Sequence, residues 1–178
     1  MTARNRLSRY YMANYHFEVG ITSRKRGRSA AAALSYQSGK RIRDNYYGKT
    51  HNYAYRSDVL YSEILLPPNA PHEYNDYQTF IDAVDYAEKR LDSRTLRWII
   101  GSLPNELEPK VLIEIVREYV TNNFTARGIC AAVAIHAGRN DNPKKNNPHA
   151  HILLTTREVG PNGFCVKKIE NGIAEKMS

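Results

Sequence analysis

Cysteine is scarce in this chain. The 178 residues hold two, Cys130 and Cys165, which form no thiolate metal motif and no disulfide framework. Any bound metal must therefore draw on histidine, carboxylate or water. Long apolar runs are missing as well. No stretch approaches the ~20 residues needed to span a bilayer, so no membrane association is expected. The start, Met1-Thr-Ala-Arg-Asn-Arg-Leu-Ser-Arg, is basic with no apolar segment behind it, so no secretory signal is expected and a cytoplasmic location is predicted. Negative charge is in deficit: 18 acidic residues face 26 lysines and arginines, for a formal net charge of +8. With 42% apolar and 25% charged residues the chain is globular rather than disordered, and its length suits one domain with a proper core.

The basic excess is uneven. Arg24, Lys25, Arg26, Arg28, Lys40, Arg41, Arg43 and Lys49 crowd the first third, interleaved with Tyr36, Tyr46, Tyr47, Tyr53 and Tyr55. Cations for phosphates and rings for unstacked bases together point to single-stranded nucleic acid. The bland alternative is charge that merely aids solubility.

Periodicity predicts the order β-α-β-α-β-α-β-β, without repeats or linkers. Residues 1–13 form a basic extension. Tyr15 to Ile21 alternates as a strand. Ser29 is placed to cap an alanine-rich helix over Ala30 to about Ser38. Lys40 and Arg43 share a face with Tyr36 if that helix continues. Asp44 to Ser57 reads as irregular, and Tyr61 to Leu66 as a strand before Pro67-Pro68. Tyr77 to Leu91 places Phe80, Ile81, Val84 and Ala87 at helical spacing. Leu96 to Gly101 is a strand, and Pro109 opens a helix with a stripe at Val111, Leu112, Ile115, Val116, Tyr119 and Val120. After Thr156 the pattern fades, and Gly160-Pro-Asn-Gly marks a turn.

The last two strands carry the densest signal. Ala131-Ala-Val-Ala-Ile-His136 is followed by a turn-rich loop and then Asn147-Pro-His149-Ala150-His151-Ile-Leu-Leu-Thr. Side chains at i and i+2 of a strand share a face, so His149 and His151 project together. An antiparallel pairing brings His136 beside them. Three converging imidazoles make a metal site with open positions. Each histidine taken alone reads as an ordinary polar strand residue.

Several segments in this order resemble the MobA/MobL plasmid mobilisation relaxases, which are HUH-type single-strand endonucleases: Tyr15-His-Phe, Gly27-Arg-Ser-Ala-Ala-Ala-Ala-Leu-Ser-Tyr36, Tyr61-Ser-Glu-Ile-Leu-Leu-Pro, Ser102-Leu-Pro-Asn-Glu and Asn147-Pro-His-Ala-His-Ile-Leu-Leu-Thr-Thr-Arg. The likeness runs from about Asn14 to Arg157. It implies an α+β two-layer sandwich, with a central, mainly antiparallel sheet of about five strands and helices packed on it. It sets a relaxase domain at 14–160 and leaves 161–178 as a poorly matching tail.

The resemblance also implies a reaction. A tyrosine attacks a phosphodiester of single-stranded DNA at an origin of transfer and keeps the 5′ phosphate as a phosphotyrosine. The nucleophile falls on Tyr36. Among 13 tyrosines the residues alone do not select it, and Tyr10, Tyr11, Tyr46 and Tyr47 are rivals. The metal ligands fall on His136, His149 and His151, for Mg²⁺ or Mn²⁺ in function and Zn²⁺ or Ni²⁺ as purified. Arg24, Lys25, Arg26, Arg28, Lys40 and Arg43 are the expected DNA contacts. Other relaxosome or coupling proteins are expected partners. One departure stands out: Trp98 occupies a position where the family usually has a glutamate. Two other readings therefore stay open, a DNA-binding remnant with weakened catalysis and a metal hydrolase of small phosphate esters.

Overall fold

The computed structural model describes residues 16–138 and 146–169. The expected extension over 1–13 and most of the loop between the histidine strands lie outside these residues.

Nine strands and three α-helices follow one another among the described residues. They are β1 (Phe17–Ser23), α1 (Ala30–Ser38), β2 (Arg41–Asp44), β3 (Lys49–Asn52), β4 (Val59–Leu65), α2 (Tyr77–Ala87), β5 (Arg94–Ser102), α3 (Pro109–Asn123), β6 (Ala131–His136), β7 (His149–Thr155), β8 (Arg157–Gly160) and β9 (Gly163–Lys168). Five strands make an antiparallel sheet in the order β1-β5-β7-β6-β4. The class is the expected α+β one, and β7 sits at the sheet's centre. Its run His-Ala-His-Ile-Leu-Leu-Thr is flanked by strands on both sides and is buried from Ile152 onward.

The alternation of side chains across the sheet divides the core in two. On one face Ala30, Ala31 and Leu34 of α1 and Phe80, Ile81 and Val84 of α2 pack with Leu96, Ala132 and Leu153. On the other, Leu112, Val116 and Val120 of α3 pack with Val133, Ile135, Ile152 and Leu154. Two helices thus share the histidine face and α3 closes the reverse, so the sheet lies between helices in three layers rather than the expected two, because both of its faces are apolar. The small side chains of Ala30 and Ala31 bring α1 close to the sheet.

The predicted element order holds for the main sheet and its helices, and two short hairpins are added to it. β2 pairs with β3 inside the stretch read as irregular. β8 pairs with β9, across the expected turn, in the segment where the pattern fades. Both hairpins are too short for periodicity to register. They are held by buried charge instead. Asp44, 1% exposed, accepts from the Tyr47 backbone N–H at 2.9 Å and from the Ser29 hydroxyl. Glu88, 2% exposed, ties α2 to the second hairpin through Arg157 at 2.7 Å and Lys168 at 2.7 Å. Paired in this way, its carboxyl is held below the usual range although burial pulls it upward.

Helix α1 does not continue toward Arg43. It ends at Gly39, whose φ of 66° lies in the left-handed region, and the chain enters β2. Lys40 and Arg43 therefore do not extend the face of Tyr36. Lys40 Nζ lies 4.8 Å from the Tyr77 ring centroid. The Arg43 backbone N–H and carbonyl both bond to the Gln78 side chain.

Candidate active site

The strand register assembles the site. His136 of β6 stands directly opposite His149 of β7, and His151 stands opposite Ala134. The three rings share one sheet face. Their centroids are 4.3 Å apart for His136 and His151, 4.9 Å for His149 and His151, and 5.4 Å for His136 and His149. One nitrogen from each lies within 4.8 Å of the others.

Hydrogen bonds orient the rings. His136 is fully buried, and its Nε2 faces the Gln37 carbonyl at 2.8 Å. That contact requires Nε2 to donate, which leaves Nδ1 with a lone pair. Gln37 Nε2 in turn donates to the Ala132 carbonyl at 2.9 Å, fixing α1 on β6. His149 Nδ1 meets the Asn147 carbonyl at 2.8 Å, so its Nε2 is the free lone pair. The Nε2 of His151 is buried and has no hydrogen-bond partner, and a buried polar atom in that state costs about 1–3 kcal/mol. Burial pushes the His151 imidazolium down to about 3, with the other two imidazoles and Arg56 adding to the effect. Burial lowers His136 as well. Near neutral pH His136 and His151 are therefore neutral and able to ligate. The orphaned nitrogen of His151 and the two oriented rings fit a divalent ion.

Tyr36 stands over this cluster from α1. Ser29 caps that helix, accepting from the Ala32 N–H at 2.9 Å. Tyr36 is 45% exposed, and its ring centroid lies 6.2 Å from His136 and 6.3 Å from His151. Of the rival tyrosines, Tyr46 and Tyr47 meet edge to face at 4.9 Å in the β2–β3 turn, and Tyr10 and Tyr11 lie outside the described residues.

Arg56 is a member of the site that sequence reading missed. Its guanidinium carbon is 4.1 Å from the Tyr36 ring centroid. It donates to the Tyr36 carbonyl at 3.1 Å and approaches His136 Nδ1 at 3.3 Å. Asp58 holds it through two bonds, 2.9 Å and 2.5 Å. The only trace in the sequence is the Arg-Ser-Asp spacing ahead of β4.

The expected DNA contacts divide. Arg28 is exposed and lines a cleft beside Tyr36 and His151. Lys25 and Arg26 are exposed on the preceding loop. Arg24 is not available for DNA. It is 4% exposed, pairs with Asp85 at 2.6 Å, and stacks 4.1 Å from the Tyr46 ring. Its role is to anchor the basic loop to α2. Trp98 lines the same cleft as Arg28, and no carboxylate is among the described residues of that lining.

The sequence and fold have known counterparts. The MobA/MobL family model matches residues 28–177. A probable mobilization protein MobA of Bifidobacterium longum is 38% identical over 150 residues, 84% of this chain and 26% of that protein. The mobilization protein MobL of Acidithiobacillus ferridurans is 33% identical over 177 residues, 88% of this chain and 46% of that one. The conjugal transfer protein TraA of Agrobacterium fabrum is 30% identical over 89% of this chain and 15% of its own length. A solved structure described as "Molecular Basis of Vancomycin Resistance Transfer in Staphylococcus aureus" superposes with a TM-score of 0.76 at 33% identity, covering 88% of this chain and 78% of the other. The chain thus spans less than half the length of these curated relatives.

Proposed function

The chain belongs to the MobA/MobL family, and from that premise we propose that it is the strand-cleaving domain of a plasmid mobilisation relaxase acting on single-stranded DNA at an origin of transfer. One observation carries this reading above the others: an exposed tyrosine ring lies about equally far, 6.2 and 6.3 Å, from two members of a three-histidine cluster.

Tyr36 is the nucleophile in this reading. Its oxygen bonds to phosphorus, the bond from phosphorus to the 3′ oxygen breaks, the phenolic proton leaves, and the 3′ oxygen takes up a proton. One phosphodiester is exchanged for another, so the strand can be resealed. His136, His149 and His151 would hold a divalent ion, which supplies polarisation of the phosphate oxygens. Gln37 and Asn147 keep the ring nitrogens in ligating orientation. Arg56 fixes the backbone and ring of Tyr36 and places a cation beside the attacking group. Arg28, Lys25 and Arg26 draw in the phosphate backbone. The domain is read as residues 14–160, and the β8–β9 hairpin carries its fold on to Lys168, tied to α2 through Glu88.

A second reading has its own observation. Trp98 stands where the family resemblance expects an acid, and the described residues of the cleft lining include no carboxylate. This favours a DNA-binding remnant with slowed chemistry. Incubation with labelled origin strands and Mn²⁺ or Mg²⁺, followed by a denaturing gel, separates the two. The relaxase reading expects a covalent species in the native chain and none in Tyr36→Phe, which loses only the hydroxyl. An adduct that persists in Tyr36→Phe overturns the assignment. An adduct seen only after Trp98→Glu establishes the remnant.

A further inference from the structure

Resting on the relaxase reading, we propose that the cleft beside Tyr36 seats one unstacked nucleobase of the single strand, with the indole of Trp98 as its stacking surface. Trp98 is the chain's one tryptophan. It lies on β5 opposite Leu153, and the register two residues on sets Ile100 opposite His151. Trp98 thus belongs to the same sheet face as the histidines.

Its partner on β1 is Gly20. A Cβ at Gly20 would come within 2.1 Å of indole Cζ2, 2.4 Å of Cε2 and 2.8 Å of Nε1. The indole therefore lies down on bare β1 backbone. Gly20 has no positive φ, so its backbone conformation does not demand glycine. What the missing side chain provides is room for the ring.

The resulting cleft has a volume of about 350 Å³. That is near the lower end of the ~300–1,000 Å³ of ligand pockets, a size for one small group. Ala32 and Ala33 of α1 form its opposite wall, and larger side chains there would fill it. The lining is mainly apolar, with Arg28 as its one cation among the described residues. An aromatic surface for a flat ring and a guanidinium for an adjacent phosphate match a nucleotide unit of a single strand. Tyr36 and His151 line the same cleft, so the seated base flanks the phosphodiester presented to Tyr36. As a simple core residue Trp98 would be sealed; it is only partly buried.

A lone tryptophan makes the contact directly observable. The intact chain is titrated with a mixed-sequence, end-labelled single strand and with an abasic strand of the same length. Label anisotropy reports binding, and emission excited at the indole reports stacking. The expected result is that both strands bind through their phosphates, while only the base-bearing strand quenches Trp98. Trp98→Leu should weaken the base-bearing strand roughly 5- to 150-fold and leave the abasic strand unchanged. Trp98→Phe should restore much of the loss. Gly20→Ala, which must displace the indole, should lose quenching with its circular dichroism intact. Tight binding of the base-bearing strand with unchanged emission and an indifferent Trp98→Leu overturns the base seat and leaves the relaxase reading standing. Failure of every strand to bind overturns both.

Discussion

Burial keeps the imidazole of His151 neutral, and that has a thermodynamic consequence. In the unfolded chain a histidine titrates near ~6.5, whereas the folded value is pushed down to about 3. Between those two values the unfolded state binds the extra proton. Stability is therefore unaffected above pH ~6.5 and falls as the pH drops below it, by up to about 1.4 kcal/mol per pH unit for one such group. His136 shifts in the same direction. Asp76 and Glu88 are lowered instead, so their contribution is lost only near and below the ordinary carboxylate range. Urea unfolding of chelator-treated protein at pH 7.0 and 5.5 should show a marked loss at the lower pH, and the loss should shrink in His151→Asn. An identical loss in that variant would falsify the assignment. At the same scale, replacing His149 and His151 with alanine should abolish stoichiometric uptake of Mn²⁺ or Zn²⁺. It leaves His136 alone, and one imidazole does not make a site. Metal content measured after gel filtration decides this, and an unchanged stoichiometry removes the ligand set.

Helix α1 shows how one element serves both the fold and the chemistry. Its first residue is capped by Ser29, whose hydroxyl also donates to the buried Asp44. Its last turn clamps β6 through Gln37 and presents Tyr36 to the histidines. Ser29→Ala should cost about 1–2 kcal/mol, from the cap and from a donor withdrawn from a buried carboxylate. Ser29→Asp should not rescue it, although aspartate is a good cap, because its carboxylate would face Asp44. Denaturant midpoints of the three proteins check this. An aspartate variant as stable as the native chain would show that Asp44 and the cap are not coupled.

Across the whole molecule the net charge of +8 sets how DNA is approached. Single-strand affinity should fall with salt by a log–log slope of about 0.7 per phosphate neutralised. Replacing exposed Lys25, Arg26 and Arg28 with glutamine should flatten that slope by roughly 2. Arg24→Gln should instead lower stability, because it breaks the buried pair with Asp85. Binding measured over a salt series tests both, and an unaltered slope in the triple variant moves the DNA path elsewhere. No helix among the described residues is long and apolar enough to cross a membrane, in keeping with the absence of long apolar runs.

Local pattern was enough for some features and not for others. The bounds Ala30–Ser38, Ala131–His136 and the start of β7 were legible because each rests on contiguous signals: a cap with alanines, an unbroken apolar run, and histidines two apart. The pairing of His149 with His151 follows from strand periodicity alone, and convergence with His136 needed only the inference of a hairpin. Tyr36 could be singled out among 13 tyrosines only through family resemblance, since nothing in a helix of small residues marks one phenol as reactive. The tertiary structure decided the rest. It buried Arg24 and left Lys25, Arg26 and Arg28 outside, because one arginine of the run meets Asp85, 61 residues away. It brought Arg56 across 20 residues to Tyr36 and across 80 to His136. It laid Trp98 on Gly20 through a pairing of strands that lie far apart in sequence. Periodicity reports which face of an element is apolar. Which residue stands opposite depends on sheet order and register, and those are fixed only when the whole core closes.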